Sequence, residues 1–237
     1  TMASLQQEGF PEDRLHWIRS GIRTPSPHLL PTKEEARSAL AKANADLRVP
    51  CEEPVVTYVG RLEPKLGLEN LIIAWRQVAL SFPGAKLWLI GDGTLRTRLY
   101  RIIRDYDLLG RVLMPGVFDD LQDVIVASSI LVLPVSNGNH DHVIMEAMAH
   151  RLPVLVAHSR SSDNLVQADM TGRTMPNNEP AVISQAIITA LADMASGHQL
   201  ADNAFQHLQK NRSLRETALR HQDLFQEIIR TSKRLVP

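Results

Sequence analysis

Cysteine is nearly absent from the sequence, since Cys51 is the single one among 237 residues. One cysteine excludes an intramolecular disulfide framework, so the fold depends on a packed core. A chain without disulfides fits a reducing compartment best. We therefore expect a cytoplasmic protein.

Long apolar runs and an excess of one charge are also absent. No run of about 18 apolar residues occurs, so no transmembrane helix is expected. The N-terminal Thr1-Met2-Ala3-Ser4 lacks the basic and apolar regions of a signal peptide. Lys and Arg number 26, and Asp and Glu also number 26. This balance excludes the basic excess typical of nucleic-acid binders, whereas a peripheral contact with a membrane stays open.

Short apolar runs alternate with segments of helical periodicity along most of the chain. The β-branched run Val55–Val59 ends at Gly60, and a helical stripe from Leu68 to Val78 follows. This alternation is typical of parallel βαβ units with helices on both faces of a sheet. The sequence thus predicts an α/β fold, a doubly wound, Rossmann-like parallel sheet of about six strands. Further strands are predicted at Lys86–Ile90, Arg111–Met114, Ile130–Pro134, Pro153–Val156 and Gly172–Met175.

The predicted sheet domain comprises residues 54–196. Its last helix is expected to begin with Asn178 as its N-cap and Pro180 just inside. Residues 1–53 are interpreted as a hinge strand and linker leading into the domain. They include a strand at Leu15–Ile18 and a polar helix from Thr32 to Asn44.

Residues 197–237 are predicted to form extra C-terminal helices with a break near Asn211. From residue 210 onward there are seven Lys or Arg and three Asp or Glu. A solvated helix face explains this surplus. A surface that meets a partner domain or an anionic membrane is the alternative.

Two cations follow the first predicted strand, at the edge where such sheets bind ligands. Arg61 and Lys65 lie in the segment Gly60-Arg61-Leu62-Glu63-Pro64-Lys65-Leu66-Gly67. An arginine can bond two phosphate oxygens at once, so the pair suits a diphosphate. An exposed loop with two ordinary cations is the alternative.

A polar loop, Pro134-Val135-Ser136-Asn137-Gly138-Asn139-His140-Asp141-His142, leads from the fourth predicted strand into a helix at Val143–His150. The free N–H groups of a helix N-terminus form an anion site. Glu146 could accept hydrogen bonds from ribose hydroxyls, or simply favour the helix dipole. His140 and His142 could ligate a metal, but their spacing is poor evidence for it. We expect Asp141 to cap the helix instead.

Three common nucleotide and hydrolase motifs are missing. No Gly-x-x-x-x-Gly-Lys-Ser/Thr loop occurs, and no Gly-x-Gly-x-x-Gly follows the first strand. These absences argue against a P-loop nucleotidase and an ordinary dinucleotide dehydrogenase. No Gly-x-Ser-x-Gly elbow is present either.

The order of the motifs that do occur resembles the C-terminal, donor-binding domain of the retaining GT-B glycosyltransferases of group 1. The likeness runs from about Arg14 to Ala195. It is carried by Arg14–Ile22, Val59-Gly60-Arg61-Leu62, Leu89-Ile90-Gly91-Asp92-Gly93, Val112–Val117, and Glu146-Ala147-Met148-Ala149 with Leu152-Pro153-Val154.

This resemblance implies transfer of a sugar from a nucleotide diphosphate sugar to an acceptor with retention, and no cofactor. Arg61 would contact the donor diphosphate. Gly91 and the backbone near Val117 would lie around the base. The stretch Gly138–Val143, with Asn139, His140, Asp141 and Val143, would approach the phosphates and the donor sugar. Glu146 matches the second glutamate of the family's Glu-x7-Glu pair, which holds the ribose.

The chain departs from the family pattern at four places. Gly138 stands where the first glutamate is expected, and Asn139-His140-Asp141 replaces Gly-Phe-Gly. The histidines His140 and His142 would offset Asp141 only if protonated. Leu66 occupies the lysine position, with Lys65 one place early, and Asn164 replaces a downstream glutamate. These departures favour the alternative of a catalytically degenerate binding or scaffold protein. A nucleotide-sugar epimerase on the related fold is a third interpretation.

The resemblance also implies a partner domain. The family's active site is a cleft between this domain and an N-terminal, acceptor-binding one, which does not precede Thr1. We therefore expect the chain to be part of a longer protein, with its C-terminal helices packed on the missing acceptor domain.

Overall fold

The computed structural model describes residues 2–16, 18–135, 140–158 and 165–234. The chain divides into two compact units, one of residues 1–24 and 209–237 and one of residues 25–208. The larger unit contains the predicted sheet domain together with the helix that precedes it.

The larger unit is built on a parallel sheet, whose strands in the described residues follow the order β3-β2-β1-β4-β5-β6. Every pair of neighbouring strands is parallel, which confirms the predicted α/β class. The strands are Val55–Val59 (β1), Lys86–Ile90 (β2), Val112–Gly116 (β3), Ile130–Leu133 (β4), Val154–Ala157 (β5) and Arg173–Met175 (β6).

Helices connect the strands and cover both faces of the sheet. All residues of the two central strands are buried, as expected when a strand has neighbours on each side and helices above and below. The helices of the described chain are Met2–Gln7 (α1), Lys33–Ala43 (α2), Leu68–Ser81 (α3), Arg96–Asp105 (α4), Gln122–Ala127 (α5), Asp141–Ala149 (α6), Pro180–Ala192 (α7), Met194–Asn211 (α8) and Leu214–Arg234 (α9).

The ends of two helices show how local chemistry fixes their boundaries. Helix α2 begins after Thr32, whose hydroxyl accepts the Glu35 N–H while the Glu35 carboxylate accepts the Thr32 N–H. Helix α7 has Pro180 in its first turn, as predicted, but it begins at that residue and its N-cap is Glu179. The predicted Asn178 cap is therefore wrong. The Asn178 carbonyl accepts instead from the side-chain amide of Asn70 at 2.9 Å.

The smaller unit contains no strand at Leu15–Ile18 among its described residues, so that prediction is wrong. A strand needs a neighbouring strand to accept and donate its backbone hydrogen bonds. Within this unit the described backbone pairing occurs a few residues later, at Ile22. Ile22 forms an isolated parallel bridge with Ser213, in which the Ile22 N–H donates to the Arg212 carbonyl at 2.9 Å. The predicted break near Asn211 is confirmed, because α8 ends there and α9 begins at Leu214.

Among the residues that the structure describes, no helix is both long enough and apolar enough to span a membrane.

Candidate functional site

Three glycines bring the carboxyl ends of β1, β2 and β3 into close contact. The Gly60 N–H donates to the Ile90 carbonyl at 3.0 Å, and the Gly91 N–H donates to the Gly116 carbonyl at 2.8 Å. Gly91 has φ +138°, and a Cβ atom there would lie 1.9 Å from the Gly60 carbonyl oxygen. Only glycine fits this position. The result is a closely packed edge of backbone at the ends of these three strands, here called the glycine edge.

The loop after β1 carries Arg61 at the surface, with its side chain 82% exposed. Its guanidinium lies 3.1 Å from a carboxylate oxygen of Glu63. The second Glu63 oxygen accepts the Thr94 hydroxyl at 2.7 Å. This bond from Thr94, followed by the influence of Arg61, lowers the pKa of Glu63. Glu63 therefore links the loop after β1 to the start of the helix that follows β2.

Lys65 lies in the same loop and is exposed. Its backbone has φ +70°, an uncommon conformation for a residue other than glycine. Two residues later Gly67 precedes α3, and a Cβ atom there would lie 3.0 Å from Cβ of Pro134. The loop after β1 therefore passes beside the residue that follows β4.

Beneath this loop lies a buried aromatic pair, Tyr58 and His140, of which the sequence singled out only His140. Tyr58 of β1 has 0% exposure, and its hydroxyl donates to the Arg61 carbonyl at 2.9 Å. The His140 ring contacts Tyr58 edge-on, with 6.3 Å between ring centroids. His140 is 5% exposed, and burial lowers its pKa. His140 is therefore neutral at pH 7 and cannot offset the charge of Asp141.

Helix α6 begins at Asp141, two residues before its predicted start, and its N-cap is His140. The predicted Asp141 cap is therefore wrong. The backbone of His140 already has nearly helical dihedral angles, so the helix begins directly after it. The first backbone bond runs from the Ile144 N–H to the His140 carbonyl. Within the described residues, the N–H groups of His142 and Val143 have no acceptor, as expected in a first helical turn.

Glu146 lies in the second turn of α6 with its side chain 26% exposed. Its carboxylate oxygens lie 3.6 Å from Nε2 of His142 and 3.8 Å from Nδ1 of His150. Both distances exceed those of a hydrogen bond, so the carboxylate keeps its capacity to accept bonds from a ligand.

The two histidines around Asp141 do not converge. His140 is buried, whereas the His142 side chain is 75% exposed. Among the residues described, no group of three or more His, Cys, Asp or Glu side chains is arranged to hold a metal ion. The geometry of this string therefore offers no support for the metal alternative.

The remaining predicted positions divide into two groups. Val117 follows β3 directly and is 72% exposed, beside the glycine edge. Gly138, Asn139 and Asn164 lie outside the described residues. The substitutions that most clearly separate this chain from the family pattern thus stay predictions from sequence.

Comparison with known proteins gives a family for most of this fold. Residues 41–207 match the family model for glycosyl transferases group 1. A curated relative, the lipopolysaccharide core biosynthesis glycosyltransferase LpsE of Rhizobium meliloti, is 28% identical over 169 residues. That alignment covers 71% of this chain and 48% of the relative.

Two solved structures share the fold. Sucrose-phosphate synthase from Thermosynechococcus elongatus is 26% identical, with a TM-score of 0.76, and the match covers 90% of this chain and 52% of that one. HepE of Anabaena, solved in complex with UDP and glucose, is 20% identical with a TM-score of 0.78, covering 94% and 60%. The chain thus spans about half the length of LpsE and of the synthase.

Proposed function

The chain belongs to the group 1 glycosyl transferases, and we propose that it binds the nucleotide diphosphate sugar from which a longer transferase moves a sugar to an acceptor. The observation that carries this proposal is the meeting of three features at one sheet edge. A side-chain-free glycine surface, the exposed Arg61 and the first turn of α6 all lie at the carboxyl ends of β1 to β4. Ligands of open α/β sheets bind at this edge.

The nucleoside occupies the glycine side of this site. We place the base beside the backbone of Gly91 and Gly116, since a Cβ atom on Gly116 would meet nothing within 4 Å. The exposed residue Val117 borders the same place. Glu146 accepts hydrogen bonds from the ribose hydroxyls, since an ionised carboxylate acts only as an acceptor. Its long distances to His142 and His150 leave both oxygens available for that role.

The diphosphate lies between Arg61 and the first turn of α6. Arg61 supplies a charge-assisted, bidentate contact, and the N–H groups of His142 and Val143 supply two further donors. Lys65 adds a second positive charge from the same loop as Arg61. These groups stabilise the negative charge that develops on the leaving diphosphate, so the proposal includes no metal or other cofactor.

In the reaction, the bond between the anomeric carbon and the diphosphate oxygen breaks. A bond to an acceptor hydroxyl oxygen forms on the same face of the sugar, and the hydroxyl proton passes to the departing diphosphate. We place the acceptor on a second domain, in keeping with relatives of which the match covers only about half. The anomeric configuration of the product, read by proton NMR on a protein that carries both domains, tests retention.

Calorimetric titration of the chain with UDP, GDP and ADP tests the donor site. We expect one nucleotide to bind, and Arg61→Ala and Glu146→Ala each to weaken it at least about tenfold, because hydrogen bonds to charged groups contribute ~1.5–3 kcal/mol. Arg104→Ala is the matched control. Arg104 is also exposed and also lies 3.1 Å from an acidic neighbour, Asp105, but it is on the outer face of α4. An equal loss of nucleotide affinity in Arg61→Ala, Glu146→Ala and Arg104→Ala would contradict the assignment.

A binding or scaffold protein without transferase activity is the second candidate. The observation in its favour is the acidic Asp141 in the first turn of α6, next to a histidine that burial keeps neutral. No binding of UDP, GDP or ADP at millimolar concentration would favour this candidate. An epimerase, by contrast, would convert the sugar of the donor with no acceptor present, which NMR of the incubated donor detects.

A further inference from the structure

The Tyr58 side chain joins the two phosphate-facing elements of the described site. It is the fourth residue of β1 and is fully buried. Its hydroxyl donates to the carbonyl of Arg61, three residues later, at 2.9 Å. Burial raises the pKa of Tyr58, so the hydroxyl is a neutral donor at neutral pH.

The chain passes directly over this hydroxyl. A Cβ atom on Gly60 would lie 2.8 Å from the Tyr58 hydroxyl oxygen and 3.5 Å from Nε2 of His140. A side chain at position 60 would therefore lift the loop from the hydroxyl. The absence of a side chain there brings the Arg61 carbonyl within bonding distance.

The Tyr58 ring also contacts His140, the N-cap of α6. His140 is buried with Tyr58, and the contact is edge-on with an interplanar angle of 68°. Tyr58 thus contacts both the Arg61 backbone and the N-cap residue before the first turn of α6.

The side chain of Arg61 is only weakly held. Its side chain is 82% exposed, and its contact with Glu63 is a surface ion pair, a class that contributes little to stability. The backbone on either side of Arg61 is fixed by the Gly60 N–H bond to the Ile90 carbonyl and the Leu62 N–H bond to the Asp92 carbonyl. The Tyr58 hydroxyl holds the Arg61 carbonyl between them. Small displacements of a binding group reduce its effect strongly.

We propose that Tyr58 is a positioning residue for the donor diphosphate, acting through Arg61. It does not touch the ligand. It fixes the Arg61 backbone relative to the first turn of α6, so that the guanidinium and the helix N–H groups reach the same diphosphate. This inference rests on the proposed donor-binding function.

The test uses Tyr58→Phe, Arg61→Ala and the double variant, with Tyr106→Phe as the matched control. Tyr106 is a tyrosine of the same unit whose ring contacts Arg76 and not the site. Calorimetry on the wild type first identifies which of UDP, GDP and ADP binds most tightly. The affinities of each variant for that diphosphate and for the matching monophosphate, UMP, GMP or AMP, are then compared. Thermal unfolding of each variant is recorded in parallel.

We expect Tyr58→Phe to lower the affinity for the diphosphate about three- to tenfold, the effect of one hydrogen bond. The affinity for the monophosphate should stay nearly unchanged. In the Arg61→Ala background the same change should have no effect, because no guanidinium remains to be positioned. A role confined to stability would lower the melting temperature without this dependence on Arg61.

Other outcomes overturn the inference in distinguishable ways. Unchanged diphosphate binding in Tyr58→Phe removes the positioning role and leaves the donor site intact. Equal losses for mono- and diphosphate, or additive losses in the double variant, show that Tyr58 acts generally and not through Arg61. No nucleotide binding by the wild type removes the donor site and the positioning role together.

Discussion

The carboxylate of Glu63 lies 3.1 Å from the guanidinium of Arg61, and its other oxygen is held by the Thr94 hydroxyl at 2.7 Å. Because its pKa is lowered, Glu63 is ionised at neutral pH. In the absence of ligand, the group proposed to bind the diphosphate is therefore paired with a carboxylate that competes with phosphate.

Replacing Glu63 with Gln should therefore tighten the binding of a nucleoside diphosphate. We expect an increase of about two- to fivefold, since an exposed ion pair contributes about 0–1 kcal/mol. Calorimetry with the best-bound diphosphate measures the change, and Asp105→Asn, which removes the partner of Arg104, is the control. Weaker binding in Glu63→Gln would mean that Glu63 orients Arg61 and does not compete for it.

The proposed contact of Glu146 with the ribose predicts selectivity for hydroxyl groups. The wild type should bind the 2′-deoxy or the 3′-deoxy form of its nucleotide about tenfold more weakly, because a hydrogen bond to a charged group is lost. In Glu146→Ala the ribo and deoxy forms should bind alike. Glu179→Ala, at an exposed acid that makes no side-chain cap bond, is the control. Unchanged selectivity in Glu146→Ala would exclude the contact.

The close approach at Gly91 predicts a large effect of a single methyl group. Gly91→Ala places a Cβ atom 1.9 Å from the Gly60 carbonyl oxygen, whereas Gly110→Ala, at φ +72°, meets nothing within 4 Å. In Gly110→Ala the free energy of unfolding should fall by about 1–2 kcal/mol through backbone strain alone. In Gly91→Ala the free energy of unfolding should fall further, and nucleotide binding should be lost. Denaturant unfolding and calorimetry test this, and equal costs at the two positions would contradict the described packing.

The buried His140 predicts a pH dependence of stability. Its pKa is lowered from 6.5 by burial, so the unfolded chain binds a proton that the folded chain does not. The free energy of unfolding is then highest above pH 6.5 and falls as the pH drops below it. His140→Phe keeps an aromatic contact with Tyr58 and removes the titrating group. Its melting temperature should exceed that of the wild type by a margin that widens from pH 8 to pH 5.

The control for this pH dependence is His221→Gln, at an exposed histidine of α9. Its melting temperature should follow that of the wild type at every pH. A constant difference between His140→Phe and the wild type from pH 8 to pH 5 would show that His140 is not protonated on unfolding in this range.

The sheet could be predicted from sequence because two periodicities alternate clearly. Buried parallel strands give continuous apolar runs such as Val55–Val59, and amphipathic helices give stripes such as Leu68 to Val78. The errors lie at single residues whose backbone angles no periodic pattern specifies. Asp141 and Asn178 were both expected as N-caps by residue type, but the caps are the preceding His140 and the following Glu179.

The site was predictable only in part. Arg61, Gly91 and Glu146 are predicted as site residues from the order of motifs along the chain, and that assignment stays a prediction. Tyr58 was missed because it lies within an apolar strand, where a tyrosine is expected to fill the core. Its hydroxyl bond to Arg61 depends on the turn of the loop after β1, which the sequence alone does not specify.

The central claim is that a nucleoside diphosphate binds at the glycine edge, and nitrogen-15 NMR of the glycine amides tests it most directly. Gly60, Gly91, Gly93 and Gly116 lie at the carboxyl ends of the strands, whereas Gly84, Gly110 and Gly172 precede β2, β3 and β6. Titration with UDP, GDP and ADP should shift the first group with one of the three nucleotides and leave the second unchanged. No shift with any nucleotide at millimolar concentration, or shifts confined to the second group, would contradict the account.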